Sequence, residues 1–421
     1  MKVLFDITVL GLGHVMPRAR TGVYRVVEQT ALGLLASGEC ELAFSASQGD
    51  FLQCLEYIKD TPLLAGYRIH PFHSSLPLLN KILTRIPWDR GKPYIYCAVE
   101  ALLQKGLRPE IVFTAESPMM ADRDEIYHSP YHAIPEWVDC RKQKVFQTVY
   151  DLIPVLYPQY FFKFRHAFQS FQKALAALTY ETNIICISQS TRNDLCNYAK
   201  TIDPGKVSVI PLAASGKFYQ CTDRQTKTLL RLKYGIPSDA AYFLSVSTLE
   251  SRKNIDLTIK SFVRILQEEK RKDLYLVLTG AKGWRYDQIF SAIDNADYFR
   301  NKIILTGYVP DEDLAPLYSG ALAFVYPSFY EGFGLPPLEA MQCGTPVITS
   351  NTSSLPEVVG DAGIMLAPTD ADGLCQAMLR VYTDSELRGA MKQKSLERAK
   401  LFSWQRYTND LLAHYRKALA A

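Results

Sequence analysis

The sequence lacks the marks of several large classes of protein. Its nine cysteines are odd in number and none occurs in a C-x-x-C spacing, so neither a disulfide framework nor a zinc site is predicted. No run of about 18 apolar residues is present, so no segment is predicted to span a membrane. The formal net charge of +4 over 421 residues is too small to indicate a nucleic-acid-binding protein.

Motifs for phosphate and metal binding are also few. There is no Walker A loop and no complete G-x-G-x-x-G fingerprint. Asp-x-Asp pairs begin at Asp122, Asp311 and Asp370, but none directly follows a predicted strand, where it could hold a metal-bridged diphosphate. We therefore expect no metal cofactor, and we expect side-chain cations to neutralise any phosphate ligand.

The predicted compartment is the reducing cytoplasm. Unpaired cysteines are typical there, and Met1–Asp6 reaches an acid after three apolar residues, unlike a signal peptide. From Lys81 to Arg108, six basic residues stand against two acidic ones. Such a segment is either a solvated helix face or a peripheral contact with the anionic inner face of a membrane, and the sequence leaves both open.

The sequence does contain a regular alternation of strand-like apolar runs and helix-like segments. Apolar residues make up 48% and charged residues 21%, as in ordinary globular proteins. The alternation predicts the α/β class, with parallel sheets and right-handed crossovers. A looser stretch after Pro211 divides it into two doubly wound, Rossmann-like domains, 1–212 and 213–402, facing each other across a cleft. A helix over 403–421 begins at the N-cap Ser403 and is predicted to pack back toward the N-terminal domain.

The first predicted βα unit could approach a ligand closely. Val3–Ile7 is predicted to be a strand, Gly11 and Gly13 to lie in a loop, and Gly22 to open a helix that ends at Gly38. Because the full glycine spacing is missing, a plain βα turn is an equally good interpretation.

Polar residues also follow a later predicted strand of the first half. Tyr150 and Asp151 come directly after Val145–Val149. Open α/β sheets place ligand-binding groups at this end of their strands. The sequence therefore predicts that both residues face the cleft.

Two histidines, His128 and His132, lie four residues apart between the predicted strands Glu110–Thr114 and Val145–Val149. Pro130 between them argues against a helical metal-binding pair. They line an acceptor site, or they are packing or solvent-exposed residues, and the sequence leaves these interpretations open.

The most informative stretch runs from Glu331 to Gly344. It reads E-G-F-G-L-P-P-L-E over Glu331–Glu339, between strand-like runs at Ala321–Tyr326 and Thr345–Thr349. The double proline predicts a helix start, and Gly344 predicts its end. This unit delivers Glu331, backbone N–H groups and the positive end of a helix to one place. That arrangement suits a phosphate joined to a polyhydroxylated group.

Glu331 and Glu339 invite comparison with a paired-carboxylate hydrolase. Their placement argues against that chemistry, because one is predicted in a loop and the other in a helix, facing different parts of one ligand. Arg252 and Lys253 follow another strand of the same predicted sheet and could neutralise a diphosphate as it leaves. A donor made of base, ribose, diphosphate and sugar would satisfy all of these elements.

The chain resembles glycosyltransferase family 4, whose retaining members have the GT-B fold. Glu331–Glu339 matches the E-x7-E motif of that family, and the match continues through the following residues, A-M-x-C-G-T-P-V. The resemblance covers nearly the whole chain and is looser in the N-terminal half. Its further matches are Arg20–Val23, Ser188–Arg192, Val209–Pro211, Ser247–Asn254, Thr306–Pro310, Ser353–Val358, Gly360–Ala362 and Phe402–Trp404.

The resemblance implies transfer of a sugar from a nucleotide diphosphate sugar, with the anomeric configuration retained and no metal required. It implies that Glu331 contacts sugar hydroxyls and that Glu339 binds the ribose. It assigns the phosphates to Arg252 and Lys253. The catalytic candidates are Glu331, Arg252, Lys253, Tyr150 and Asp151. The donor-binding candidates are Glu339, Gly22 near the phosphates, Ser247, Tyr308 and Val309 near the base, Phe333, Gly334 and Leu335.

One position departs from the family pattern. Many relatives carry His-Asp where this chain has Tyr150-Asp151, and that histidine usually approaches the donor sugar. Tyr150 can donate or accept a hydrogen bond but is not ionised at neutral pH. The departure bears on which donor sugar is used and on how the N-terminal domain completes the site.

The overall sequence pattern is most similar to that of mannosyltransferase-like members of the family, which favours GDP-mannose as the donor. The acceptor is expected to be a glycan or a lipid-linked oligosaccharide, as in polysaccharide biosynthesis. Three alternatives stay open. They are a UDP-glucose or UDP-GlcNAc transferase of the same family, a sugar-nucleotide 2-epimerase on a similar scaffold, and a catalytically inactive sugar-nucleotide-binding partner subunit.

Overall fold

The computed structural model describes residues 1–16, 22–46, 51–64, 67, 69–70, 125–160, 165–269, 273–281 and 287–421. The basic segment Lys81–Arg108 and the predicted strand Glu110–Thr114 lie outside the described residues. Within the described ranges, no helix combines the length and the apolar character that crossing a bilayer requires.

The strands of the first sheet are β1 (Lys2–Asp6), β2 (Glu41–Ser45), β3 (Ile69–His70), β4 (Ile126–Ser129), β5 (Lys144–Val149), β6 (Asn183–Cys186) and β7 (Val207–Val209). They lie in the order β3-β2-β1-β4-β5-β6-β7, and all of the pairs are parallel. The helices of this part are α1 (Thr8–Val15), α2 (Gly22–Ser37), α3 (Phe51–Asp60), α4 (Ile153–Leu156), α5 (Arg165–Ala176) and α6 (Gln189–Tyr198).

The strands of the second sheet are β8 (Ala241–Val246), β9 (Leu274–Thr279), β10 (Ile303–Gly307), β11 (Ala323–Tyr326), β12 (Val347–Ser350) and β13 (Ile364–Leu366). They lie in the order β10-β9-β8-β11-β12-β13, again in parallel. The helices of this part are α7 (Arg224–Lys233), α8 (Ile255–Glu269), α9 (Asp287–Asp294), α10 (Asp311–Gly320), α11 (Leu335–Gln342), α12 (Leu355–Val359), α13 (Ala371–Thr383), α14 (Ser385–Ala399) and α15 (Trp404–Ala420).

The two sheets confirm the predicted α/β architecture. The central strands are largely apolar and buried on both faces, as parallel sheets covered by helices require; Val3, Leu4 and Phe5 of β1 are all buried. In each sheet the strand order reverses once, beside β1 in the first and beside β8 in the second. Ligand clefts of such sheets lie at that reversal, beyond the carboxyl ends of the strands. The predicted domain limits, 1–212 and 213–402, stay predictions.

The loop predicted at Gly11 and Gly13 is wrong, because these residues lie inside helix α1. A Cβ atom on Gly11 would lie 2.5 Å from Cys54 Sγ, and one on Gly13 would lie 2.2 Å from a ring carbon of Tyr24. Both glycines therefore allow α1 to pack closely against α3 and α2. A glycine needed for close packing cannot be told from a loop glycine by sequence pattern alone.

The final helix, α15, packs back toward the first sheet, as predicted. The Tyr407 hydroxyl lies 3.3 Å from Thr30 Oγ1 of α2, and the Tyr415 hydroxyl lies 2.5 Å from His128 Nδ1 of β4. The Nε2 atom of His128 lies 2.8 Å from Thr148 Oγ1. Burial lowers the pKa of His128 to about 3, so this histidine is a neutral packing residue and not part of an acceptor loop.

Candidate active site

The Glu331 loop, residues 327–334, connects β11 to α11. Gly334 has a φ of +119°, a conformation that glycine adopts without strain, and Leu335 then begins the helix, followed by the two prolines. Gly344 has a φ of +70° directly beyond the helix end. The helix limits predicted from the double proline and from Gly344 are therefore confirmed.

The Glu331 carboxylate is buried among two cations and two hydroxyl groups. Its Oε1 atom lies 2.7 Å from Lys253 Nζ and 3.0 Å from Arg252 Nη1. The hydroxyls of Tyr326 and Ser328 donate to the same oxygen at 2.9 and 2.6 Å. Burial alone would raise the pKa of Glu331, but the two cations outweigh it and lower this pKa to about 2. Glu331 is therefore an ionised hydrogen-bond acceptor at neutral pH.

Arg252 and Lys253 reach Glu331 because β8 lies beside β11 in the sheet. They belong to a 3-10 turn, Ser251–Lys253, that follows β8 and ends at Asn254 in the left-handed conformation, with a φ of 57°. Arg252 also donates to Glu250 Oε1 at 2.6 Å. Burial and the neighbouring guanidinium lower the pKa of Lys253. The structure thus brings together three of the predicted catalytic residues; their contact with phosphate stays a prediction.

Glu339 lies in the second turn of α11 and is 6% exposed. The Tyr318 hydroxyl donates to its Oε2 atom at 3.3 Å, and Arg25 Nη1 lies 3.5 Å from its Oε1 atom. Arg25 Nη2 also donates to Asp311 Oδ1 at 2.6 Å. Burial raises the pKa of Glu339 to about 7, with Arg25 opposing the shift. The pKa values of the two carboxylates of this motif are therefore shifted in opposite directions, because their surroundings differ.

Arg25 is a functional candidate that sequence reasoning missed. It belongs to α2, which packs on the first sheet, whereas Glu339 and Asp311 belong to the second half, so this ion-pair cluster spans the cleft. Arg25 follows Gly22 by three positions and shares its helix face. That spacing could have indicated that Arg25 faces the ligand cleft, but it does not predict contact with Asp311 or Glu339.

Gly22 begins α2 beside the beginning of α11. A Cβ atom on Gly22 would lie 3.6 Å from Leu335 Cδ1, an ordinary contact distance. The positive ends of two helices from opposite sheets therefore meet in the cleft, an arrangement that favours an anionic ligand. Phe333, in the loop before α11, is buried and packs edge-on against Phe402 with ring centroids 5.9 Å apart.

Tyr150 and Asp151 lie against the Glu331 loop from the first sheet. A Cβ atom on Gly332 would lie 2.3 Å from the Tyr150 carbonyl oxygen and 2.9 Å from Asp151 Cβ. Within the described part of the chain, the buried Tyr150 hydroxyl has no hydrogen-bond partner. Asp151 accepts from the Ile153 N–H at 2.9 Å, and burial raises its pKa.

The three remaining candidates follow β8 and β10. The Ser247 N–H donates to the Thr279 carbonyl at 3.0 Å, so this residue extends the β8–β9 pairing. Tyr308 is 73% exposed, whereas Val309 is buried. Both precede Asp311, which begins α10 and contacts Arg25. The loop proposed for the base therefore runs into the cluster around Glu339.

Comparison with known proteins identifies the family. Residues 226–398 match the family model described as Glycosyl transferases group 1. The O-antigen chain mannosyltransferase B of Escherichia coli is 35% identical over 298 residues, which cover 70% of this chain and 74% of that protein. The chain belongs to the group 1 glycosyl transferases.

Further comparisons agree with this membership. The serotype-specific mannosyltransferase WbdA of Escherichia coli is 28% identical over 279 residues, covering 66% of this chain and 34% of that protein. A sucrose-phosphate synthase from Thermosynechococcus elongatus superposes with a TM-score of 0.65 at 19% identity, covering 100% of this chain and 99% of that one. This glycosyltransferase is therefore mannosyltransferase-like in sequence and has the GT-B fold.

Proposed function

We propose that this glycosyltransferase moves mannose from GDP-mannose to a glycan or lipid-linked acceptor, with retention of the anomeric configuration and without a metal ion. Sequence similarity to two mannosyltransferases supports the choice of sugar. The observation that carries the proposed site is the buried cluster of Glu331, Arg252 and Lys253 beside the beginning of α11.

Glu331 suits the hydroxyls of the donor sugar. Every hydrogen bond and ion pair that the described residues make with this carboxylate ends on Oε1, so Oε2 can accept from a ligand. A carboxylate with a pKa of about 2 is a poor proton donor and a weak base. Its proposed role is therefore to orient the sugar and to stabilise positive charge at the reacting carbon.

The leaving diphosphate would meet positive charge from several directions. Arg252 and Lys253 are buried beside Glu331 at the end of β8, and the beginnings of α2 and α11 meet at Gly22 and Leu335, four residues beyond Glu331. Fixed cations and helix ends in a site shielded from water stabilise developing negative charge strongly. We propose that these groups take the place of a metal ion.

The ribose is assigned to Glu339. A carboxylate can accept two hydrogen bonds from neighbouring hydroxyls of one sugar ring, and Tyr318 already fixes the orientation of this one. Arg25 lies 3.5 Å from it, at the edge of hydrogen-bonding distance, and its closer partner is Asp311. Ribose binding would therefore replace only a weak contact.

The acceptor is assigned to the first sheet. Tyr150 Oη and His132 Nε2 are buried, and neither has a hydrogen-bond partner among the described residues. Both follow strands of the first sheet, β5 and β4, at the ends that face the cleft. The Tyr150 carbonyl also lies against Gly332 of the Glu331 loop, which supports an acceptor site on this side of the cleft.

Radiolabelled donors test the proposal. The protein is incubated separately with GDP-mannose, UDP-glucose and UDP-GlcNAc, and the release of nucleotide and of free or transferred sugar is followed. We expect slow turnover of GDP-mannose alone. Turnover of a UDP-sugar would replace the donor, an epimerised nucleotide sugar would indicate the epimerase, and binding without turnover would indicate an inactive partner.

The stereochemistry and the metal are tested with the same assay. Proton NMR of the first product should show the anomeric configuration of the donor, and an inverted product would contradict retention. Treatment with EDTA should leave the rate unchanged, whereas a rate restored only by an added divalent cation would contradict the metal-free proposal.

A further inference from the structure

We infer that Glu357 is a positioning residue that fastens the beginning of α6, on the first sheet, to the Glu331 loop of the second half. Neither the sequence motif nor the proposed chemistry assigns it a task. The kinetic part of this inference rests on the proposed function, whereas its structural part does not.

The Glu357 carboxylate caps a helix of the opposite half. Its Oε2 atom accepts from the Gln189 N–H and its Oε1 atom accepts from the Ser190 N–H, both at 2.7 Å. These amides belong to the first turn of α6, whose free N–H groups and positive end favour an anion. Charge-assisted bonds of this kind are short and strong, so the contact joins the two halves firmly.

The same turn of α6 also forms hydrogen bonds with Gly332, the residue next to Glu331. The Ser188 hydroxyl donates to the Gly332 carbonyl at 2.7 Å. Thr191 Oγ1 lies 3.1 Å from the Tyr150 carbonyl and 3.3 Å from the Gly332 carbonyl. The beginning of α6 therefore touches the first sheet, the Glu331 loop and Glu357 at once.

Glu357 itself is held on the side of the second sheet. Ser354, the N-cap residue of α12, lies with its Oγ atom 2.9 Å from the Glu331 carbonyl and 2.6 Å from the Phe333 carbonyl. Arg398 donates to the Glu357 carbonyl at 2.6 Å. One short helix thus holds the Glu331 loop through its N-cap and holds α6 through its acidic side chain.

The loop has little room to absorb a shift of α6. A side chain on Gly332 would collide with the Tyr150 carbonyl, so the two halves already touch backbone to backbone beside Glu331. A misplacement of about 1 Å of a positioning group can lower a rate by about 100-fold. Loss of the Glu357 contact should therefore reduce the rate of transfer more than it reduces donor binding.

Two variants break the contact from opposite sides. Glu357→Gln leaves one acceptor oxygen and turns an N–H₂ group toward a helix amide. Gln189→Pro removes one of the two donors, at a helix position where proline is favoured, and Ser188 already has the extended conformation that precedes proline, with φ −153° and ψ 160°. Glu386→Gln is the matched control, because Glu386 is an exposed acid in the first turn of α14.

Hydrogen exchange and steady-state kinetics are measured on these three variants and on the double variant that combines Glu357→Gln with Gln189→Pro. We expect both Glu357→Gln and Gln189→Pro to speed amide exchange in residues 188–195 and in residues 330–334. We also expect kcat to fall by about 10- to 100-fold with the donor KM within about threefold of wild type. The double variant should have about the same kcat and exchange rates as the single variants, because both single changes disrupt the same contact between Glu357 and α6. Glu386→Gln should match wild type in both measurements.

Each contrary result is distinct. Faster exchange in 188–195 without any change in 330–334 would refute the coupling and leave Glu357 as a simple helix cap, whether or not the enzyme turns over. Coupled exchange with an unchanged kcat would refute the positioning role. If the wild type consumes no nucleotide sugar, the proposed function fails, and the exchange result still decides whether the two segments are coupled.

Discussion

Replacing Glu331 by glutamine should destabilise the protein in a pH-dependent way. The structure lowers the pKa of this carboxyl from 4.5 to about 2, because Arg252 and Lys253 outweigh the effect of burial. At about 1.4 kcal/mol for each tenfold change in proton affinity, the ionised group contributes roughly 3 kcal/mol to the free energy of unfolding. The side chain is only 10% exposed, so solvent screens this contribution little. Glu331→Gln should therefore cost roughly 3 kcal/mol near neutral pH, comparable to breaking a buried ion pair.

The sign with pH follows from the same shift. A carboxyl with a lowered pKa stabilises the folded state above its unfolded pKa, and that stabilisation is lost as pH falls through the folded pKa. The difference in unfolding free energy between wild type and Glu331→Gln should therefore shrink as pH falls from about 5 toward about 2. Urea unfolding of both proteins across this range measures it. A difference that stays constant with pH, or that is absent near neutrality, would refute the electrostatic reasoning.

Three further predictions concern neighbouring groups. Glu339→Gln should show the opposite pH dependence to Glu331→Gln. Because burial raises the pKa of Glu339 to about 7, wild type loses stability as pH rises from about 4.5 to about 7. Urea unfolding should show that the variant does not lose stability in this range. Gly332→Ala should lower the melting temperature, because its Cβ would lie 2.3 Å from the Tyr150 carbonyl. Gly389→Ala should instead raise stability by about 0.5–1 kcal/mol, because Gly389 lies within α14 and its added Cβ would meet no atom within 4 Å apart from its own helix backbone and chain neighbours. Equal effects of the two would be inconsistent with close contact at Gly332. Asp311→Asn should weaken the contact with Arg25 and lower the melting temperature. The decrease should exceed that of the control Asp372→Asn, because its partner Arg264 is an exposed surface residue. Equal shifts would argue against a cluster that joins the two halves across the cleft.

The best-predicted part of the site is the part encoded locally. The double proline and the positive-φ glycine at 344 lie in the same short stretch as the helix they delimit, so pattern alone predicted α11. The meeting of Arg252 and Lys253 with Glu331 followed from one further step. In a parallel sheet the ends of neighbouring strands share an edge, and β8 does lie beside β11.

The cluster of Arg25, Asp311 and Glu339 could not be predicted in this way. Its members come from α2, α10 and α11, and their contact depends on how the two sheets face each other, which no local pattern encodes. The same holds for Glu357, whose partners are backbone amides on the opposite half. A backbone amide leaves no residue-type signal in a sequence.

Gly11 and Gly13 show a different kind of error. Glycines near the end of a first strand indicate a ligand loop, but here they lie within α1 and allow close contact with Cys54 and Tyr24. Both uses depend on the missing side chain, one for conformational freedom and the other for space. Only the neighbours in three dimensions distinguish them.

The most direct test of the site is donor turnover in wild type and in Glu331→Gln, with product configuration read by NMR. Wild type should release GDP from GDP-mannose, and any transferred mannose should keep the anomeric configuration of the donor. Glu331→Gln, compared at a pH where it is folded, should turn over GDP-mannose at least about 100-fold more slowly, since it loses the charge that we propose faces the sugar. Unchanged turnover in Glu331→Gln would contradict the assignment of the active site.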